Sequence, residues 1–311
     1  VAYVLEARCS AESGATEAAG FLREWAESTH ASEGLRPAAT PLDRLAARFG
    51  LTDTECSLLL LAGLPDEHEG IATTFRSIHP QGEPRPTVGL AALLLGGSGP
   101  DRSQLREVLS SGAAVRRRLL DLAGPGTFFE RSLMLPDRLW DALHGYDAWP
   151  SDLQRVELDP PPPGLEGWLA DDLVRAAVRT IRADRMGVVL ITSDDEAVAR
   201  ARCAALATAA GCNVLAARLT PGDKARASLL AAHAAARGAR PMLVVTPAAD
   251  GSANPLSVED FPGSLLVCAP PGTVRAPSDR AVLSLSAGPV DAADQRLAWI
   301  EAVPNLASQA S

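Results

Sequence analysis

The stretch from Gly187 to Leu219 has the residue order in which a protein could hold a phosphate. Gly187-Val188-Val189-Leu190-Ile191-Thr192 is a short apolar run, and Ser193-Asp194-Asp195-Glu196 is a polar loop. An Ala-rich run follows to Ala210, then Gly211-Cys212-Asn213 and a second apolar run. This predicts strand, loop, helix, glycine stop and strand, a βαβ unit of about 30 residues. In nucleotide-binding sheets such a loop holds phosphate with glycines, a lysine and the helix N-terminus. Laid without gaps onto G-x-x-x-x-G-K-S/T, the first glycine falls at Ser193, the second at Val198, the lysine at Ala199 and the hydroxyl residue at Arg200. Every functional position is replaced. Asp194, Asp195 and Glu196 would repel a triphosphate, whereas a helix N-terminus favours them. The third strand of such a site should end in an acidic pair that holds Mg²⁺, but Met242 to Val245 runs into Thr246-Pro247, and Asp250 comes later. The degenerate nucleotide-site positions are therefore Ser193, Val198, Ala199, Arg200, Thr246 and Pro247. No catalytic residue, metal ligand or bound cofactor is expected of this chain.

Other residues with chemical potential carry less. A dinucleotide fingerprint G-x-G-x-x-G is missing from the same turn. A receiver domain could use Asp194-Asp195 as its acidic pair, but it needs an Asp where Thr246 stands and a Lys where Ser286 stands. Gly96-Gly97-Ser98-Gly99-Pro100 approaches a nucleophile elbow and is broken by Pro100. Asp66-Glu67-His68-Glu69 has ligand types without a second His at helical spacing, so it reads as a solvated loop. His30, His79, His144 and His233 are isolated. Arg116-Arg117-Arg118 is the one basic run and is predicted on an amphipathic helix, Ala113 to Leu122, as a solvated face or a docking surface.

The elements that must position these residues divide into two halves. Residues 1–158 read as mainly helical. Glu17 to Ser28 puts Ala18, Phe21, Leu22 and Trp25 on one face. Thr40-Pro41 opens a helix ended by Gly50, and Thr52 with Glu55 forms a capping box for a Leu-rich second helix. That pair resembles a helix-turn-helix. Ile71–Ile78, Val88–Leu95 and Gln104–Leu109 are further helices, Phe128–Leu135 is strand-like and suggests a β-wing, and Leu139–Leu143 is a last helical turn. The four prolines of Asp159–Gly164 make an extended linker. Residues 165–311 then alternate. A helix spans Trp168–Arg182. Strands are expected at Val188–Thr192, Val214–Leu219, Met242–Thr246, Leu265–Ala269 and Ala281–Leu285, with helices at Val198–Ala210, Lys224–Arg237 and Ala292–Val303. Continuous apolar strands alternating with helices predict a parallel five-stranded α/β sheet covered on both faces, with any ligand at the carboxyl ends of the strands.

Composition bounds the rest. With 47% hydrophobic residues the 311-residue chain can bury a core, and with 4% aromatics Leu, Val and Ala must do the packing. A net charge of −9 disfavours nucleic acid and anionic membrane as partners unless a local basic patch overrides it. Cys9, Cys56, Cys203, Cys212 and Cys268 have no regular spacing, as expected of free thiols in a reducing cytoplasm. No apolar run approaches the roughly 20 residues that cross a bilayer.

The order of features resembles the N-terminal portion of bacterial AAA+ ATPases encoded with phage-tail-like contractile injection systems. The residues that carry the resemblance are Leu42-Asp43-Arg44-Leu45-Ala46, Phe49-Gly50-Leu51-Thr52, Glu55, the run Leu58–Leu61, Arg85-Pro86-Thr87-Val88-Gly89-Leu90-Ala91 and Leu135-Pro136-Asp137-Arg138-Leu139. In the second half the match is to strand order and a closing helix with Asp294, Arg296 and Trp299. The resemblance implies a winged-helix-like domain followed by a degenerate ATPase-like domain that lacks its phosphate loop. ATP and Mg²⁺ would then be bound only by a further C-terminal module. The expected role is a cytoplasmic, non-catalytic docking and assembly platform for protein partners, such as the AAA+ module or injection-system components. The alternatives are part of an ATPase whose active site lies beyond Ser311, and a DNA-binding regulator using the helix-turn-helix-like element. The second helix of that element lacks Arg and Lys, which counts against groove reading.

Overall fold

The computed structural model describes residues 39–96, 101–220, 222–247, 252–256 and 258–288, with single positions at 20, 24, 292, 296 and 300. The helices expected at Glu17–Ser28 and Ala292–Val303, and most of the Gly96–Pro100 loop, lie outside them. The chain divides into two compact units, Val1–Ala148 and Trp149–Ser311. This division falls upstream of the expected boundary at 158.

The first unit is built from short capped helices: α1 Pro41–Phe49, α2 Asp53–Gly63, α3 Glu69–Ile78, α4 Val88–Leu95, α5 Arg102–Ser111, α6 Ala113–Arg116 and α7 Leu139–Leu143. Their starts follow from side chains that accept the open backbone N–H groups of a first turn. Thr40 and Asp43 exchange both bonds of a capping box, as do Thr52 and Glu55, and Asp101 and Gln104. Gly50 ends α1 with φ of 66°, a left-handed conformation that glycine adopts without strain. Leu45, Leu58, Leu59, Ile71, Phe75, Leu105, Leu119 and Leu133 are fully buried and form the core.

A hairpin closes this unit. Strand β1 (Asp121–Ala123) pairs antiparallel with β2 (Ser132–Met134), and the segment before α4 joins its edge through a Thr87–Ser132 bridge. The strand expected over Phe128–Leu135 is shorter than its pattern suggests, because Thr127 and Glu130 cap a single 3-10 turn at Phe128–Glu130. The helix expected to run to Leu122 stops at Arg116. Arg118 takes φ of 54° and turns the chain, so that Leu119 and Leu120 enter the core before β1.

The second unit is an α/β sheet. Its strands are β3 Gln154–Val156, β4 Gly187–Thr192, β5 Val214–Leu219, β6 Arg240–Val245, β8 Ser264–Ala269 and β10 Val282–Ser286, in the order β10-β4-β8-β6-β5-β3. All neighbours run parallel except β3, which is antiparallel to β5. The parallel strands, counted along the chain, therefore lie fifth, first, fourth, third, second. The antiparallel β3 is too short and polar to announce itself in the sequence. A separate two-residue pair, β7 (Asn254–Pro255) and β9 (Val274–Arg275), lies outside this sheet.

Helices α8 Glu166–Leu169, α9 Asp172–Arg182, α10 Glu196–Ala210 and α11 Lys224–Ala236 complete the unit. The single helix expected over Trp168–Arg182 is two. Asp171 interrupts it by accepting from the N–H groups of Leu173 and Val174, starting α9 afresh. The core on one side joins Ile181, Val189, Ile191, Ala199, Cys203, Leu206, Met242, Val244, Leu266 and Cys268. Small Ala and Cys side chains on α10 let that helix lie close on the sheet, which is how a core with few aromatics is filled.

Candidate functional site

The carboxyl ends of β4, β5, β6 and β8 are where a ligand of such a sheet would bind. Only Ser193, Asp194 and Asp195 separate β4 from α10. The loop is tied down from both sides. The Ser193 N–H donates to the Ala269 carbonyl at 3.3 Å, and the Asp195 N–H donates to Ser193 Oγ at 3.1 Å. The Asp195 carboxylate accepts from the Ala197 N–H at 2.8 Å and caps α10. A loop this short cannot curl around a phosphate, and a carboxylate of the chain already serves the first turn of the helix.

Glu196, at the first position of α10, meets Arg218 near the end of β5. The guanidinium donates two hydrogen bonds to the two carboxylate oxygens, at 2.7 and 2.6 Å. This bidentate geometry is the strong form of the contact. The Arg218 bonds hold the Glu196 carboxyl below its ordinary range, against partial burial. Arg200 lies one turn on, with Nε 3.7 Å from Glu196 Oε1 and Nη1 donating to the Glu157 carbonyl at 3.4 Å. Cys268 on β8 is 2% exposed, and its thiol is pushed up to about 11, first by burial and then by the Glu196 charge, against Arg200 and Arg218.

The positions predicted from the phosphate-loop alignment follow β4 and β6 at the carboxyl end of the sheet. Ser193 is in the loop, while Val198, Ala199 and Arg200 all lie within α10. Val198 is 36% exposed, and Ala199 is fully buried in the core beneath the helix. Thr246 and Pro247 follow β6, where the Thr246 N–H is spent on the Leu219 carbonyl at 3.0 Å. Arg218 was not singled out by the sequence pattern. Its signal was a lone arginine in an otherwise apolar strand, one βαβ unit after an acidic loop.

A second candidate surface lies on the first unit. The helix whose side chains meet the hairpin loop is α5, and the second helix of the Thr40–Gly63 pair has Glu55, Leu58, Leu59 and Leu61 buried. Arg102 and Arg106 of α5 are exposed and lie over the rings of Phe129 and Phe128 in the hairpin loop, at 4.1 and 4.8 Å from the centroids. Residues 101–131 carry six arginines against four carboxylates, a local basic stretch in an acidic chain. Arg116 and Arg118 of the basic run are exposed, at the end of α6 and in the turn after it, and Arg117 is half-buried. The Asp66–Glu69 loop serves structure: His68 Nδ1 accepts from the Gly70 N–H at 2.9 Å to cap α3, and Glu67 pairs with His144 at 2.8 Å.

Helices and a three-segment hairpin in this order describe a winged helix. A family model for a winged helix domain, variant, matches residues 3–156, so the N-terminal region carries a winged-helix domain. That match extends beyond Ala148 into β3. No curated protein and no solved structure gives a match to the chain. Among the described residues, no helix is long and apolar enough to cross a membrane.

Proposed function

We propose that the chain is a nucleotide-silent docking and assembly platform, with a winged-helix unit that meets partners and an AAA-type sheet that has kept its strand order and lost its chemistry. In this reading it works beside an active AAA+ module, in an assembly of the contractile-injection type. The observation that carries it is the acidic start of α10: Asp195 caps the Ala197 N–H and Glu196 is held by Arg218, where a nucleotide phosphate would need glycines, a lysine and no competing carboxylate. The strand order of the second unit supports it, being the order of AAA-type sheets. Calorimetric titration of the full chain with ATP and Mg²⁺ tests it. No heat of binding up to millimolar nucleotide is expected, and a micromolar, Mg²⁺-dependent affinity would overturn the silent-site reading.

A second reading, nucleic-acid binding, is favoured by one observation: the exposed arginines of α5 beside the hairpin loop. Phosphate contacts of that kind weaken steeply with salt. Fluorescence anisotropy with a labelled 20-base-pair duplex, between 50 and 200 mM salt, decides it. Arg102→Ala with Arg106→Ala should weaken any binding about tenfold or more and flatten the salt slope, and binding indifferent to both would rule this face out.

A further inference from the structure

Helix α5 and the hairpin loop hold two arginines open to solvent on an aromatic bed. Arg102 and Arg106 stand one turn apart on α5, and their guanidinium carbons lie 4.1 and 4.8 Å from the ring centroids of Phe129 and Phe128. The two rings meet edge to face at 5.4 Å. The bed is fixed from within the unit. Glu130 Oε2 accepts from the Thr127 N–H at 2.8 Å and closes the turn that carries both rings. Helix α4 packs so near this turn that a Cβ on Gly89 would stand 3.0 Å from the Phe129 carbonyl oxygen. A guanidinium placed over a ring keeps N–H groups for a second partner and has less freedom to lose on binding it.

No carboxylate of the unit is paired with these arginines. Among the described residues, neither makes a hydrogen bond or an ion pair. Asp101 accepts from the Ser103 and Gln104 N–H groups, both at 2.8 Å, and Glu130 from Thr127. Glu107 follows Arg106 by one residue, which places it about 100° round the helix from the ring-facing side. Leu105 and Leu109 take the core side. The open pair therefore selects an anion. One turn of helix separates the two arginines by about 6 Å along the axis, and the first and third residues of an extended segment lie about 6.6 Å apart with side chains on one face. Charge favours such a short segment over a nucleic-acid backbone. A duplex presents one charge per about 1.7 Å along its whole length to a chain of net charge −9, whereas a short acidic segment meets the local field within about 8–10 Å. The second helix of the Thr40–Gly63 pair adds no Arg or Lys that would extend the basic surface.

We infer that this face takes a short, extended acidic segment of a partner protein, an acid-x-acid sequence whose two carboxylates pair with Arg102 and Arg106. The inference rests on the docking part of the proposed function and names the kind of partner. Nucleic acid at the same two arginines is the competing case.

The test is a titration of the ¹⁵N-labelled full chain with the peptide acetyl-Gly-Asp-Leu-Asp-Gly-amide at near-physiological salt, following the Arg102 and Arg106 Nε–H resonances. The same peptide with asparagine at both acidic positions, and a 20-base-pair duplex, provide the comparison. The acidic peptide is expected to shift both resonances with Kd of about 10⁻³ M, and the asparagine peptide to bind at least tenfold more weakly. Arg102→Lys keeps the charge and loses the planar fork, so it should weaken the acidic peptide severalfold, as should Arg106→Gln. Both substitutions are at exposed positions and should leave resonances elsewhere in place. Equal binding of the acidic and asparagine peptides overturns the inference, as does unchanged affinity in both variants or no shift of either resonance at 10 mM peptide. Displacement of the peptide by micromolar duplex also overturns it and assigns the face to nucleic acid. A null result here leaves calorimetric silence towards ATP standing, and nucleotide binding would leave this titration standing, so the two readings fail separately.

Discussion

Removing the Glu196 carboxylate tests whether the end of the sheet is closed by an internal ion pair. In Glu196→Ala, Arg218 loses two charge-assisted hydrogen bonds, at 2.7 and 2.6 Å, and Arg200 loses its nearest carboxylate. Breaking a fully buried pair costs about 3–5 kcal/mol and an exposed pair about 0.2–1. The Arg218 and Glu196 side chains are 30% and 39% exposed, so water screens the loss and the expected cost lies between, about 1–2 kcal/mol. Urea denaturation should show a lower midpoint with unchanged slope. Arg218→Ala should cost a similar amount, and the double variant little more than either single one, because both delete the same contact. The pH dependence gives a second reading. The folded Glu196 pKa lies below its unfolded value of about 4.3, so its contribution is complete above that value and disappears as pH falls through the lowered folded one. The gap between wild type and Glu196→Ala should therefore be constant near neutrality and vanish in acid. Single variants each within about 0.3 kcal/mol of wild type, or fully additive effects, would refute the argument that this pair closes the site.

Three further outcomes follow from the same geometry. Glu55 is 2% exposed and accepts from the Thr52 N–H at 2.9 Å and the Ala114 N–H at 2.8 Å, so Glu55→Ala loses a cap and strands a buried donor, at a cost of about 2–4 kcal/mol in denaturation of the first unit. A Cβ on Gly63 would collide with the Trp140 ring, so Gly63→Ala should destabilise the first unit by more than about 2 kcal/mol and move the Trp140 indole resonance, whereas a silent substitution would show that the ring can yield. The Cys268 thiol, held up to about 11, keeps its proton in the folded state after the unfolded chain has released it, so its contribution to stability should be flat below about pH 8.5 and fall by up to about 1.4 kcal/mol per pH unit towards 11. Cys268→Ala should reduce that alkaline slope, with chemical denaturation at pH 7, 9 and 10 as the measurement.

The parts of the fold that the sequence announced are those governed by local chemistry. The capping pairs Thr40–Asp43 and Thr52–Glu55 act over one turn of helix, and the apolar strands β4, β6 and β8 are buried on both faces, which writes their position into composition alone. What was not legible depends on long-range contact. Strand β3 exists because β5 offers it an edge, and its Gln-Arg-Val sequence has no strand pattern of its own. The break before α9 turns on Asp171 accepting backbone N–H groups, one of three consecutive choices in Ala170-Asp171-Asp172. At the candidate site, the replacements at Ser193, Ala199 and Arg200 were readable, but the partner of Glu196 was not. Strand β5 lies three strands from β4 in the sheet, and only folding brings Arg218 to the start of α10.

That contact bears on how a sheet of this order can persist without a ligand. A helix N-terminus pointing at the end of a strand carries open N–H groups and a partial positive charge. Where a nucleotide binds, its phosphates satisfy them, and the empty protein must tolerate them. Here the Asp195 carboxylate accepts from one N–H of the first turn, that of Ala197, and Glu196 adds a second negative charge, whose own demand is met by Arg218. The positive charge that a phosphate site would supply from a lysine inside the loop comes instead from β5, across the sheet. Reversing the arrangement is therefore not a matter of restoring one lysine at Ala199, because that position is fully buried on the core side of α10. A lysine there would be desolvated against Cys203 and Leu206 rather than presented to a ligand. The three-residue loop and the internal ion pair support each other: the short loop sets Glu196 at the start of α10, and Arg218 meets its charge from β5.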